Sequence, residues 1–407
     1  MSSKIKSIKG GVCAAKGFRA AGTPARIKYE GRNDVALIVA DAPCAAAAVF
    51  TTNAVAAAPV VYDRVAVKGG RIQAILANSG CANACTGEAG YWDAERSARE
   101  TAKTLGIDPK LVLVASTGVI GHRLPMDRLV AGMKAAAMRL SSSFEAGLDA
   151  EKAVMTTDTK PKQAAVQVKI GGKTVTIGGM CKGSGMIEPN MATMLGFITT
   201  DAAIGRTMLK RALMQALARS FNRVVVDGDE STNDSLFLLA SGRAGNAKIV
   251  RPGRDFDLFA EALEKVAVML ARQMAADGEG ATKFVTVNVR GAKSDREAEK
   301  AARAIAKSPL AKTSWFGKDP NWGRVLAAVG YSGAEVDERR TEIFYDRVWA
   351  FRRGKVADAR QLEKLAAVLA RPEFSVTADL HLGEGAATIY TCDFSLDYVH
   401  INADYTT

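Results

Sequence analysis

Lys182-Gly-Ser-Gly-Met-Ile-Glu-Pro-Asn-Met-Ala-Thr-Met-Leu-Gly-Phe197 is the stretch on which the reading of this chain turns. Gly183, Gly185 and Pro189 precede the Ala192–Thr193 bond and suit a loop with unusual dihedrals. Glycine frees φ, and proline pins the approach. Beyond the bond, Met194-Leu-Gly-Phe-Ile198 predicts a short buried strand. Thr193 is therefore expected where a bent loop enters a core strand. From residue types alone, a β-branched threonine opening a strand is ordinarily a strand residue and nothing more.

Upstream of this loop, residues 164–177 predict a hairpin with Gly171-Gly172 as its turn. Earlier still, 35–62 and 71–78 read as strands, 94–105 as a helix, and 111–118 as a buried strand ending in a turn. Residues 126–140 have helical spacing with Leu129, Met133 and Met138 inward. Downstream, 202–220 and 256–276 read as helices, and 222–227, 236–240 and 284–289 as strands. A capping box, Ser294-x-x-Glu297, opens a helix running to about Ala306. From Gly323 the chain reads mainly as strands, with one helix near 359–369. Helices and strands mix without strict βαβ alternation, which predicts an α+β fold of layered, mixed architecture. A chain of 407 residues exceeds the length over which one core keeps growing. The expected division is a main catalytic domain, 1–285, and a smaller C-terminal α/β domain, 286–407.

The composition excludes several classes. Hydrophobic residues make up 48%, and no run approaches the roughly 18 apolar residues of a spanning helix, so no membrane role is expected. The net charge is +12, but Lys and Arg are dispersed and aromatics are only 6%, which argues against a nucleic-acid partner. The basic balance suits attraction of small carboxylates. Six cysteines without a C-x-x-C pair, and three histidines (His122, His381, His400) far apart in sequence, argue against a disulfide framework and a zinc site. Residues 178–184 lack the Gly-Lys-[Ser/Thr] ending of a phosphate loop. Asp227-Gly-Asp229 begins like a calcium loop but has Leu238 where a bidentate Glu belongs. The first 29 residues carry no acid, as in a transit peptide, yet no apolar core follows; the expected location is the cytoplasm.

Residues 182–195 follow the pattern KGxGMIxPxxATML. This resembles the self-cleavage segment of the ornithine acetyltransferase (glutamate N-acetyltransferase) family of arginine biosynthesis. The match extends to Gly17–Gly22, Asn78-Ser-Gly, Asn83–Gly87, Asp227–Asp229 with Ser231–Asp234, Lys318–Arg324 and the closing Ile401–Thr407. One departure is Cys81, where the family commonly has Asn.

The resemblance implies a precursor cleaved between Ala192 and Thr193 into α (1–192) and β (193–407) chains. The freed Thr193 would then be the nucleophile, its own amine the base, and an acetyl-threonine the ping-pong intermediate between N-acetylornithine and L-glutamate. An α-amine titrates at about 7.7–8.0, close to working pH. Thr117 and Gly118 are implied as the oxyanion site; Thr156, Lys182, Thr193, Glu279, Asn402 and Thr407 as substrate contacts. Lys182 would hold a carboxylate and Glu279 an ammonium, with the C-terminal tail reaching the site. By residue types alone, Thr117-Gly118 is more often a plain turn and Thr156 a cap or turn; Lys182 is read as a solvated lysine, and a helix-ending turn explains the glycines around Glu279 equally well. The resemblance implies no cofactor or metal and an α2β2 assembly, and leaves open whether acetyl-CoA also serves as donor. The alternative chemistry is an amino-terminal-nucleophile hydrolase using Thr193 with water as acceptor.

Overall fold

The structure is a computed structural model describing residues 5–188 and 194–404. Among the described residues the strands are β1 (Lys6–Ile8), β2 (Phe18–Thr23), β3 (Val35–Phe50), β4 (Arg71–Asn78), β5 (Val112–Ser116), β6 (Lys162–Ile170), β7 (Lys173–Lys182), β8 (Leu195–Thr200), β9 (Val224–Val225), β10 (Ser235–Ala240), β11 (Phe284–Ala292), β12 (Glu342–Tyr345), β13 (Val348–Arg352), β14 (Lys355–Val356), β15 (Glu373–Asp379) and β16 (Gly385–Cys392). The helices are α1 (Ala58–Ala66), α2 (Gly87–Leu105), α3 (Met126–Met138), α4 (Phe144–Val154), α5 (Arg206–Arg219), α6 (Arg254–Ala276), α7 (Asp295–Lys307), α8 (Pro309–Phe316), α9 (Trp322–Gly330), α10 (Ala359–Leu369) and α11 (Leu396–Asp404).

The first sheet runs β1-β6-β7-β8-β10-β3-β4-β5, with β2 also on β3. β8 lies at its middle, antiparallel to β7 with Lys182 opposite Leu195, and parallel to β10 with Leu195 opposite Ser235. All six residues of β8 are buried. Leu195 and Phe197 pack into one core, and Ile198 into the core on the opposite face. Alternate residues of a strand point to opposite faces. A strand covered on both sides reads as an unbroken apolar run, which is how 194–198 reads in the sequence.

α5 and α6 cover one face, packing Leu213, Phe259 and Leu270 on Val166, Ile177 and Leu238. α4 closes the other, with Ala150 and Val154 against Phe18 and Phe237. α2 and α3 lie over β3–β5. The second sheet runs β14-β13-β12-β15-β11-β16-β9 and packs against α7, α9 and α10. Its long strands begin at Phe284, but β9 comes from well before them in the chain, and Phe284 and Cys392 pack into the first core. The fold is α+β, as expected.

Several elements differ from the sequence expectation. Residues 35–62 are not strand throughout: β3 ends at Phe50, and 58–62 belong to α1, with Pro59 in its first turn. Met138 points outward at 84% exposed, because nine residues beyond Leu129 it falls on the opposite side of α3 from the buried face of Leu129, Met133 and Ala136. Only Val224–Val225 of 222–227 is strand. The tail after residue 323 also carries α9 and α11, and α4 and α8 were not anticipated. Among the described residues no helix is long and apolar enough to cross a membrane.

Candidate active site

One cleft gathers Thr117, Gly118, Thr156, Lys182, Glu279 and Asn402. Met194 and Leu195, at the entry to β8, line it as well. Ala192, Thr193 and Thr407 lie outside the described residues.

Thr117 and Gly118 follow β5, which pairs in parallel with β4. Asn78, at the end of β4, fastens this turn. Its side chain accepts from Ser116 Oγ at 2.7 Å and donates to the Cys81 carbonyl at 2.9 Å, while its own carbonyl accepts from the Thr117 N–H at 3.0 Å. Asn233 pins the same turn from the far side, donating to the Ala82 and Ser116 carbonyls at 2.6 and 2.8 Å. Gly118 has φ 127°, and a Cβ there would sit 2.5 Å from the Gly80 carbonyl carbon, so only glycine fits. Cys81 lies behind the turn with its thiol donating to the His122 carbonyl at 3.3 Å. Burial pushes that thiol above its ordinary pKa.

Lys182 ends β7 and donates to Thr117 Oγ1 at 3.4 Å. A hydroxyl that accepts one hydrogen bond keeps its own proton to donate. Asp158 takes the Gly183 N–H at 2.7 Å and the Thr156 N–H at 3.0 Å. Burial opposes its ionisation, but Lys182 and Lys162 override this and draw the carboxyl down to about 2. Asp158 is thus an anion throughout the neutral range.

Glu279 stands in the turn after α6, its N–H donating to the Ser184 carbonyl at 3.1 Å. Asn402 of α11 donates to Glu279 Oε2 at 2.8 Å, linking the C-terminal helix to the cleft. A Cβ on Gly185 would lie 2.3 Å from the Glu279 carboxylate, so this glycine admits the acid. Asp227 accepts from the Met186 and Ile187 N–H groups at 2.6 and 2.8 Å and fixes the loop ahead of residue 189. Asp234 also lines the cleft. Burial raises its carboxyl well above the usual range, against the pull of the Ser231 side chain and Lys182.

None of His122, His381 and His400 lines the cleft. Among the described residues no group of three or more His, Cys, Asp or Glu side chains is placed to hold a metal. Sequence reading passed over Asp158, Asp234 and Tyr398, which flank or line the cleft. The available signals were the Thr156-Thr-Asp158 run and Ser231–Asp234, which matched the family without an assigned chemistry.

The sequence model of the ArgJ family matches residues 19–407. The chain belongs to the ArgJ family. The arginine biosynthesis bifunctional protein ArgJ of Symbiobacterium thermophilum is 54% identical over 402 residues, covering 98% of this chain and 99% of that one. Its counterpart from Geobacter sulfurreducens is 49% identical, covering 96% and 99%. Among solved structures, an ornithine acetyltransferase from Mycobacterium tuberculosis in complex with ornithine is 42% identical, covering 46% of this chain and 100% of that one at a TM-score of 0.44.

Proposed function

We propose that this protein is a self-processing acetyltransferase of arginine biosynthesis, moving the acetyl group of N2-acetyl-L-ornithine to L-glutamate. One observation carries the reading. Residues as far apart in sequence as Thr117 and Asn402 line one cleft with Met194, the residue after Thr193. A cation, an anion and a hydroxyl with a free proton face that cleft, as a zwitterionic amino acid and a developing oxyanion require.

In the precursor the Thr193 hydroxyl attacks the Ala192 carbonyl carbon. The C–N bond breaks, the nitrogen takes the hydroxyl proton, and water then hydrolyses the ester to leave chains 1–192 and 193–407. In the mature enzyme the Thr193 amine takes the hydroxyl proton as oxygen attacks the acetyl carbonyl. The Thr117 hydroxyl and the Gly118 N–H hold the oxyanion. The proton passes to the leaving nitrogen, ornithine departs, and the amine of glutamate attacks the acetyl ester to regenerate Thr193. Lys182 and Thr156 hold the substrate carboxylate, and Glu279, set by Asn402, holds the ornithine ammonium. Thr407 completes the substrate contacts. No cofactor or metal takes part, and the assembly is α2β2, in the cytoplasm.

The test is the product. N-acetylornithine and labelled glutamate should give N-acetylglutamate and ornithine in equal amounts. Acetate released at a rate independent of glutamate would replace transfer by hydrolysis at the same threonine. Supplying acetyl-CoA in place of N-acetylornithine tests the second donor.

A further inference from the structure

Beneath the cleft lies an ion cluster that the proposed chemistry does not use. Lys162, the first residue of β6, is 1% exposed. Its ammonium donates to Asp158 Oδ1 at 2.7 Å, to Asp277 Oδ2 at 2.5 Å and to the Lys160 carbonyl at 3.2 Å, so all three of its protons are taken. Asp158 side-chain exposure is 0% and that of Asp277 is 5%. Such a cluster is costly to desolvate and is weak evidence for stability, so its placement needs another reason.

Each carboxylate reaches a different side of the cleft. Asp158 holds the backbone N–H of Thr156 and of Gly183, next to Lys182, and neighbours the Lys182 charge. Asp277 accepts from the Thr159 N–H and hydroxyl and stands two residues before Glu279, its carbonyl accepting from Ser184 Oγ at 2.6 Å. Lys162 therefore joins the cationic wall to the anionic wall through one rigid centre. The charges sum to −1 for the three residues, which Lys182 balances.

We propose that Lys162, with Asp158 and Asp277, is a positioning cluster that fixes the separation between Lys182 and Glu279 and so selects the length of the diamino-acid substrate. This rests on the carboxylate and ammonium roles given to those two residues above. A substrate clamped at both ends must match that span, and one methylene of mismatch is worth about 10–200-fold in kcat/KM where the walls do not yield.

The experiment compares kcat/KM for N2-acetylornithine with that for N2-acetyllysine, one methylene longer, in wild type, Lys162→Met and Asp277→Asn. Mass analysis of self-cleavage and thermal unfolding serve as folding controls. Wild type should favour the ornithine compound by at least about tenfold. Asp277→Asn, which leaves Lys162 paired with Asp158, should cut that ratio about fivefold or more, chiefly through KM of the ornithine compound, and Lys162→Met should cut it further. A cluster that only stabilises the fold would slow both substrates alike. A ratio within twofold of wild type in folded, cleaved Asp277→Asn overturns the proposal, even where Lys162→Met fails to fold. No transfer by wild type from either donor would instead remove the acetyltransferase reading itself.

Discussion

Thr117 accepts a hydrogen bond from Lys182, which leaves its own proton pointing elsewhere. Removing one donor from an oxyanion site typically costs a hundredfold or more in rate. Thr117→Ala should therefore slow acetyl transfer by roughly a hundredfold, about 2.7 kcal/mol, with little change in KM. Steady-state kinetics on the folded, cleaved variant checks this, and a loss under threefold would make Thr117 a turn residue only. The neighbouring Gly118 was legible in sequence as a turn, but the need for glycine comes from Gly80 and Cys81 on another segment. Lys182 and Glu279 were legible through the motifs around them. Asp158 was not, because its importance lies in three partners, Thr156, Lys162 and Gly183, that only the folded sheet brings together.

The elements that the sequence misreported share a physical cause. α1 carries Val60, Val61 and Val65, a composition that suits strands, yet buried Asp63 takes the Val114 N–H at 3.0 Å and seats the helix on β5. α4 buries a face of Ala146, Gly147, Ala150 and Ala153, too weakly apolar to stand out as a period. Its Ser143 cap, accepting from the Ala146 N–H at 3.1 Å, is visible only once the helix is known. The long amphipathic α6 and the capped α7 carry stronger signals and were legible. α4 also buries Glu151 completely, and burial pushes that carboxyl up to about 8, against the pull of Gln163 and Lys162. The folded state thus holds a proton that the unfolded chain, with a pKa of about 4.3, releases. Stability from this group is present at low pH and declines as pH rises from about 4.3 through about 8. Glu151→Gln should raise Tm at pH 8 by roughly 1–2 °C or more, and the gain should shrink at pH 5 and vanish below about pH 4. Equal shifts at all three pH values, read by calorimetry, would contradict a protonated Glu151.

At the scale of the whole molecule, the cleft forms where the end of β7, the turn after β5, the turn after α6 and helix α11 meet. No local pattern announces such a meeting. It was anticipated only because several short motifs matched one family together, whereas composition and periodicity gave the α+β class and most strands of the first sheet. The packing of Phe284 and Cys392 into the first core equally depends on layers that periodicity does not encode. The account's central claim is that Thr193 opens the chain at its own amino side, and intact mass of the purified protein measures this directly. Wild type should give two fragments, 1–192 and 193–407, whose masses sum to the 43.0 kDa chain plus one water. Thr193→Ser, which keeps a hydroxyl, should still cleave; Thr193→Ala should remain a single inactive chain of about 43.0 kDa. A full-length wild type that transfers acetyl groups would contradict the account.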